Sequence, residues 1–182
     1  MKYTLLTCAT LNYLSYFCCL FAIFRSHKEV HSLQFSLLKL NTLALWVSGP
    51  VLIWNSTPHA GYLFISVVQL LCLAGFWSTS RIASRNQFTT VYSKDTPVKL
   101  VRSGLYKYVR HPFYLIYLMT YGSIVFVAPS MIYSALVVSI TALYIHAART
   151  EEAKFQASVL SLEHKRYQDE TGMFLPKIKK AG

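Results

Sequence analysis

Apolar residues in this chain come in long uncharged blocks separated by short polar ones. Five windows stand out, residues 3–24, 33–54, 61–77, 113–128 and 131–148. A helix needs ~20 apolar residues to cross the hydrocarbon layer with every backbone amide paired internally. The pattern therefore predicts an all-α fold, a polytopic transmembrane helical bundle of about five spans forming one integral membrane domain over residues 1–182. The second window carries Lys39 near one end, where its ammonium can snorkel to the surface, and Pro50 near the other. The fourth and fifth are short and have only Pro129 and Ser130 between them, so they read as a tight antiparallel hairpin. The first has a thin basic flank, Lys2, and no small-residue cleavage motif behind it, which predicts a retained helix.

Two polar blocks are long enough to do chemistry. The first, residues 78–112, mixes bases, hydroxyls and aromatics and is broken by Pro97 and Gly104, which predicts a structured loop. The second runs on from the fifth window without a break. It places Phe155, Val159 and Leu162 on one side of a helix whose remaining surface is charged, and Gly172 and Pro176 would end it. This is the pattern of a cytosolic C-terminal amphipathic helix lying along the headgroups.

Charge orients the bundle. The chain has 18 Lys and Arg against 7 Asp and Glu, a formal net charge of +11. With the N-terminus outside, every Lys and Arg except Lys2 falls in an inner segment or, as Lys39, at the inner end of a span. The outer loops, residues 55–60 and 129–130, are then uncharged. The positive-inside rule thus puts the C-terminus in the cytosol. Basic residues spread over several juxtamembrane stretches suit anionic lipid headgroups, so no nucleic-acid partner is expected. Composition agrees, at 54% hydrophobic and 14% charged. Cys8, Cys18, Cys19 and Cys72 lie inside apolar windows without metal-ligand spacing; they read as small core residues, and no metal site is expected. The acceptor pattern at Asn55 is followed by Pro58 at the membrane edge and is discounted.

The candidate chemistry sits at the mouth of the fourth window, in Tyr108-Val109-Arg110-His111-Pro112. Pro112 suits the first turn of a helix, whose leading amides and dipole attract an anion, and Arg110 and His111 add to that field. About 18 residues separate His111 from the turn at Pro129 and about 20 return to Arg149, so at 1.5 Å per residue His111 and Glu151-Glu152 share one depth. A basic helix mouth facing an acidic helix exit suits a ligand with a carboxylate, an ammonium and a cationic reacting centre. S-adenosylmethionine has all three, and its sulfonium would favour the faces of Tyr106, Tyr108 and Tyr114. Taken singly, each group has a plainer reading: interfacial anchor, solvated glutamate pair, aromatic belt. His146 reads as a core histidine, and Lys39 and Asn41 as helix-end and packing residues.

The stretch from Leu100 to Tyr114 resembles the signature of the isoprenylcysteine carboxyl methyltransferase and phospholipid methyltransferase superfamily, carried by Gly104, Tyr106, Tyr108, Arg110, His111, Pro112 and Tyr114. A second block of that superfamily is matched by Arg149, Glu151, Glu152, Tyr167 and Pro176, with Arg149 one residue closer to the glutamates than in many relatives. The resemblance covers roughly the C-terminal half, residues 100–114 and 149–176 holding the site segments. It implies a cytosol-facing methyltransferase that uses S-adenosylmethionine and takes an amphiphilic acceptor from the bilayer, either a prenylcysteine carboxylate or a phospholipid amine. His111, Arg110 and Glu152 are the implied catalytic group. Gly104, Tyr106, Tyr108, His111, Pro112, Tyr114, Arg149, Glu151 and Glu152 are the implied cofactor-binding set. The chain departs from relatives at Leu115, Ile116 and Tyr117, where a glycine is usual, and at His164, where a tyrosine is. Two other readings remain: a sterol-type reductase using NADPH, and a non-catalytic membrane protein binding a partner or anionic lipid.

Overall fold

A computed structural model of the chain describes residues 1–22, 33–85 and 99–177. These form six helices: α1 (Lys2–Ala22), α2 (Leu33–Asn55), α3 (Gly61–Arg85), α4 (Pro112–Val127), α5 (Met131–Gln156) and α6 (Ser161–Glu170), with one 3-10 turn at Gly104–Lys107. Helices α2, α3 and α5 are long and apolar enough to cross a membrane, and α4 is a shorter apolar helix. The end of the first window, the basic segment that follows it, and residues 86–98 with Pro97 lie outside the described residues.

Helix α3 packs between α1 and α4, while α2 lies along α5. The hairpin between α4 and α5 turns at Pro129 and Ser130, where the Ser130 hydroxyl accepts from the Tyr133 amide at 3.4 Å and caps α5.

Two boundaries differ from the hydropathy pattern. The loop expected from Ser78 begins as helix, because α3 continues to Arg85. The polar residues that follow the apolar window do not break it: Thr79 returns its hydroxyl to the Gly75 carbonyl at 2.8 Å, and Thr79, Ser80 and Ala83 are buried. The single amphipathic helix expected after Arg149 is also two pieces. Ser158 takes the Leu160 amide on its hydroxyl, at 3.2 Å, and gives that hydroxyl to the Phe155 carbonyl, at 2.7 Å, so the chain turns and α6 folds back on α5. Val159 and Leu162 are consequently exposed, and α6 buries His164 and Tyr167 instead. Cys8 and Cys72 are buried as expected, but Cys18 is exposed on the outer side of α1, and His146 is exposed as well.

The bundle shows apolar side chains outward, among them Leu70, Leu71 and Val138, which suits contact with hydrocarbon. Its interior holds a polar group that hydropathy did not reveal. Asn12 donates to both the Gln69 carbonyl and the Gln69 side-chain oxygen, each at 2.9 Å. Gln69 in turn donates to the Thr120 carbonyl and the Ser123 hydroxyl, each at 2.9 Å, and Tyr16 reaches Thr120 at 2.6 Å and Asn12 at 3.1 Å. These bonds tie α1, α3 and α4 together at one level, because each group finds its partner on a neighbouring helix.

Gln69→Leu removes the three side-chain bonds by which Gln69 joins Asn12, the Thr120 carbonyl and Ser123, so it should destabilise the protein by about 1–3 kcal/mol. Thermal denaturation in detergent, compared with Leu70→Ala on the exposed face, checks this; equal melting of the two variants contradicts it.

Candidate active site

The segment leading into α4 is held by its backbone. Gly104 has φ +60°, a conformation costly for residues with a Cβ, and a Cβ there would also collide with Ile82 of α3. The 3-10 turn it starts therefore lies against α3. Tyr106 is buried, its hydroxyl pushed above its ordinary pKa by burial, and its carbonyl accepts from the Tyr167 hydroxyl of α6. The strand that follows pairs with the segment after α6. Val109 and Gly172 form an isolated parallel bridge, the Arg110 amide donates to the Gly172 carbonyl at 2.9 Å, and the His111 amide to the Met173 carbonyl at 3.1 Å. A Cβ on Gly172 would overlap the Leu175 carbonyl, so the return of the chain requires glycine there. His111 is then the N-cap of α4, with Pro112 at its first position.

This frame brings Arg110 and His111 onto the end of α5. Arg110 Nε donates to Glu152 Oε1 at 2.7 Å, and its Nη1 reaches the carbonyls of Thr171 and Gln168. His111 lies between the glutamates, with Nδ1 3.0 Å from Glu151 Oε2 and Nε2 3.2 Å from Glu152 Oε1. The other Glu152 oxygen accepts from Gln168 at 2.8 Å, and the other Glu151 oxygen accepts from the Tyr114 hydroxyl at 2.8 Å. The expected common depth of His111 and the glutamate pair is thus met as direct contact.

Burial disfavours charge on His111, but its hydrogen bonds to Glu151 and Glu152 and their charges outweigh that and raise its pKa to about 9. The imidazolium is therefore the resting form at neutral pH. Two cations, Arg110 and His111, face two anions, Glu151 and Glu152, so the cluster is neutral as a whole. Glu152 is buried and fully engaged, whereas Glu151 is half-exposed.

An aromatic column rises beside the cluster. His111 stacks on Tyr114, centroids 5.6 Å apart with 10° between planes, and Tyr114 on Tyr144 at 4.9 Å and 14°. Phe174 also packs on His111, centroids 6.0 Å apart. His164, standing where relatives carry tyrosine, is buried on the ring of Phe155, and burial holds its pKa below the ordinary value.

Of the residues singled out in the sequence, Arg110, His111, Tyr114, Glu151 and Glu152 form one connected cluster. Gly104, Tyr106 and Pro112 shape the backbone beneath it. Tyr108 is 55% exposed and Arg149 is also on the surface, so neither joins the buried group. Sequence reasoning missed Gln168, Tyr144 and Phe174. Gln168 sits one position after the motif tyrosine Tyr167, but nothing local distinguishes it from surface.

The donor set suits S-adenosylmethionine. The half-exposed carboxylate of Glu151 offers an oxygen to an ammonium, and the first turn of α4, with its dipole and leading amides, offers a place for a carboxylate. The sequence model of the phospholipid methyltransferase family matches residues 59–161, which include α3, the 3-10 turn, α4, α5 and both glutamates. Comparison with curated proteins yields no match.

The raised pKa of His111 has a signed consequence. A group titrating near 6.5 when unfolded and about 9 when folded stabilises fully below pH ~6.5 and loses that contribution as pH rises to about 9. Melting temperature should fall across this window in the wild type. His111→Gln should flatten the slope, and an identical slope in both proteins contradicts the assignment.

Proposed function

The chain belongs to the phospholipid methyltransferase family, and from that premise we propose that it methylates the amine of a phospholipid at the cytosolic face of its membrane. Membership makes it an S-adenosylmethionine-dependent methyltransferase acting on a lipid-type acceptor. That selects methyl transfer over the dinucleotide-dependent reductase and the non-catalytic membrane protein. The amine reading goes further, and one observation carries it: both cations of the buried cluster are already paired with glutamates. What the cluster leaves open to a ligand is the partly exposed carboxylate of Glu151, the chemistry that receives an ammonium group. A prenylcysteine carboxylate would ask for a cation of its own.

In this reading Glu151 holds the cofactor's ammonium, and the start of α4 receives its carboxylate. His111 and Tyr114 fix the orientation of Glu151 through their hydrogen bonds. Glu152 is a positioning residue: it fastens Arg110, His111 and Gln168 to one another. Gly104, Tyr106 and Pro112 set the backbone, while Tyr108 and Arg149 stand at the rim. When bound, the cofactor supplies a methyl group on a cationic sulfur. The protein's work is to hold donor and acceptor in line and to keep water out, which is catalysis by positioning. The five-span topology with its N-terminus outside belongs to the same proposal, since it puts α4's start and α5's exit at the cytosolic face.

Purified protein in phosphatidylethanolamine vesicles should transfer tritiated methyl groups to lipid without consuming NADPH. Labelling of prenylcysteine peptides alone would overturn the amine reading. Glu151→Gln and His111→Ala should each weaken S-adenosylmethionine binding about tenfold or more by calorimetry, with membrane insertion intact; unchanged affinity removes their assigned roles.

The pH profile separates the two acceptor types. An amine with a pKa of roughly 8–10 gains its lone pair as pH rises, so activity should climb above neutrality and fall again as His111 deprotonates near pH ~9. A carboxylate acceptor is ionised throughout and would give no climb.

A further inference from the structure

Asn41 lies on the inner face of α2 with Leu45, Gly49 and Ile53. It is 8% exposed, and its Oδ1 is buried with no hydrogen-bond partner. The Asn12 and Gln69 amides, by contrast, are bonded across helices. A buried amide oxygen left unpaired is destabilising, and polar residues kept inside a membrane bundle at such a cost mark functional positions.

Its place in the fold indicates the function. The next residue, Thr42, interacts with the side chain of Tyr144, whose ring stacks on Tyr114, whose hydroxyl is bonded to Glu151. Thr42 thus reaches the foot of the aromatic column that rises to the site, and Asn41 precedes it on α2. Along α5, Tyr144 lies seven residues before Glu151, about 10 Å toward the middle of the bundle.

We propose that Asn41 Oδ1 accepts a hydrogen bond from the amine of the phospholipid acceptor and so orients its lone pair. The inference rests on the amine reading above. The chemistry favours an amide here over a carboxylate: a neutral oxygen takes an N–H bond without holding the amine in its charged, non-nucleophilic form, as an anion would.

The test uses the full chain in lipid nanodiscs, with phosphatidylethanolamine as the acceptor probe at graded mole fraction. In Asn41→Leu the KM for phosphatidylethanolamine should rise about tenfold while S-adenosylmethionine affinity stays within about twofold of wild type. Melting temperature should hold or rise, because the orphan oxygen is gone. An unchanged KM, or a loss of donor affinity in step with a lowered melting temperature, overturns the proposal. If Asn41→Leu does not accumulate in membranes, Asn41→Ala carries the same expectations. Wild-type protein that leaves phosphatidylethanolamine unmethylated sinks the amine reading and this inference with it; wild-type turnover with normal KM in the variant sinks this inference alone.

Discussion

A carboxylate cannot be buried at a membrane protein's edge without compensation, and the compensation of Glu152 organises the site end of this protein. Its two oxygens take Arg110, His111 and Gln168. Those three residues come from the strand before α4, the cap of α4 and the body of α6, so one anion fixes the relative position of three segments. Removing a single partner of such a group costs far more than the pair contributes when intact. Arg110 is irreplaceable by lysine on geometric grounds, since its guanidinium serves Glu152 and the Thr171 carbonyl in different directions.

Around that anchor the protein divides its labour between two neighbouring carboxylates. Glu152 is spent on structure, and Glu151, oriented by His111 and Tyr114, keeps a face toward solvent. Successive residues on a helix diverge by about 100°, which is why adjacent glutamates can differ so sharply in exposure. The aromatic column continues the site inward, because the ring of Tyr144 couples the Tyr114 hydroxyl to the middle of the bundle.

Much of this was legible in the sequence, and the illegible part has physical causes. Hydropathy reports the outside of a membrane bundle, so the windows located α2, α4 and α5 well. It could not see Asn12 and Gln69, whose polarity is hidden among apolar neighbours and satisfied by one another. The continuation of α3 past Ser78 was missed because hydroxyl residues end a hydrophobic window without ending a helix. The split of the C-terminal helix was missed because Phe155, Val159 and Leu162 keep helical spacing across the turn at Ser158. At the site, counting residues along two short antiparallel helices was enough to bring His111 to Glu151 and Glu152, since a two-residue turn leaves little freedom of register. Exposure of Tyr108 and Arg149 depends on side-chain direction, which spacing within a motif does not encode.

The parallel pairing of Val109 through His111 with Gly172 and Met173 has a temporal corollary. Synthesis runs from α1 onward, so Gly172 and Met173 are made after every helix of the bundle. Until then Arg110 lacks its Thr171 carbonyl and Glu152 lacks Gln168. The cluster around Glu152 is therefore completed only once the segment after α6 has been made and has folded back onto the start of α4.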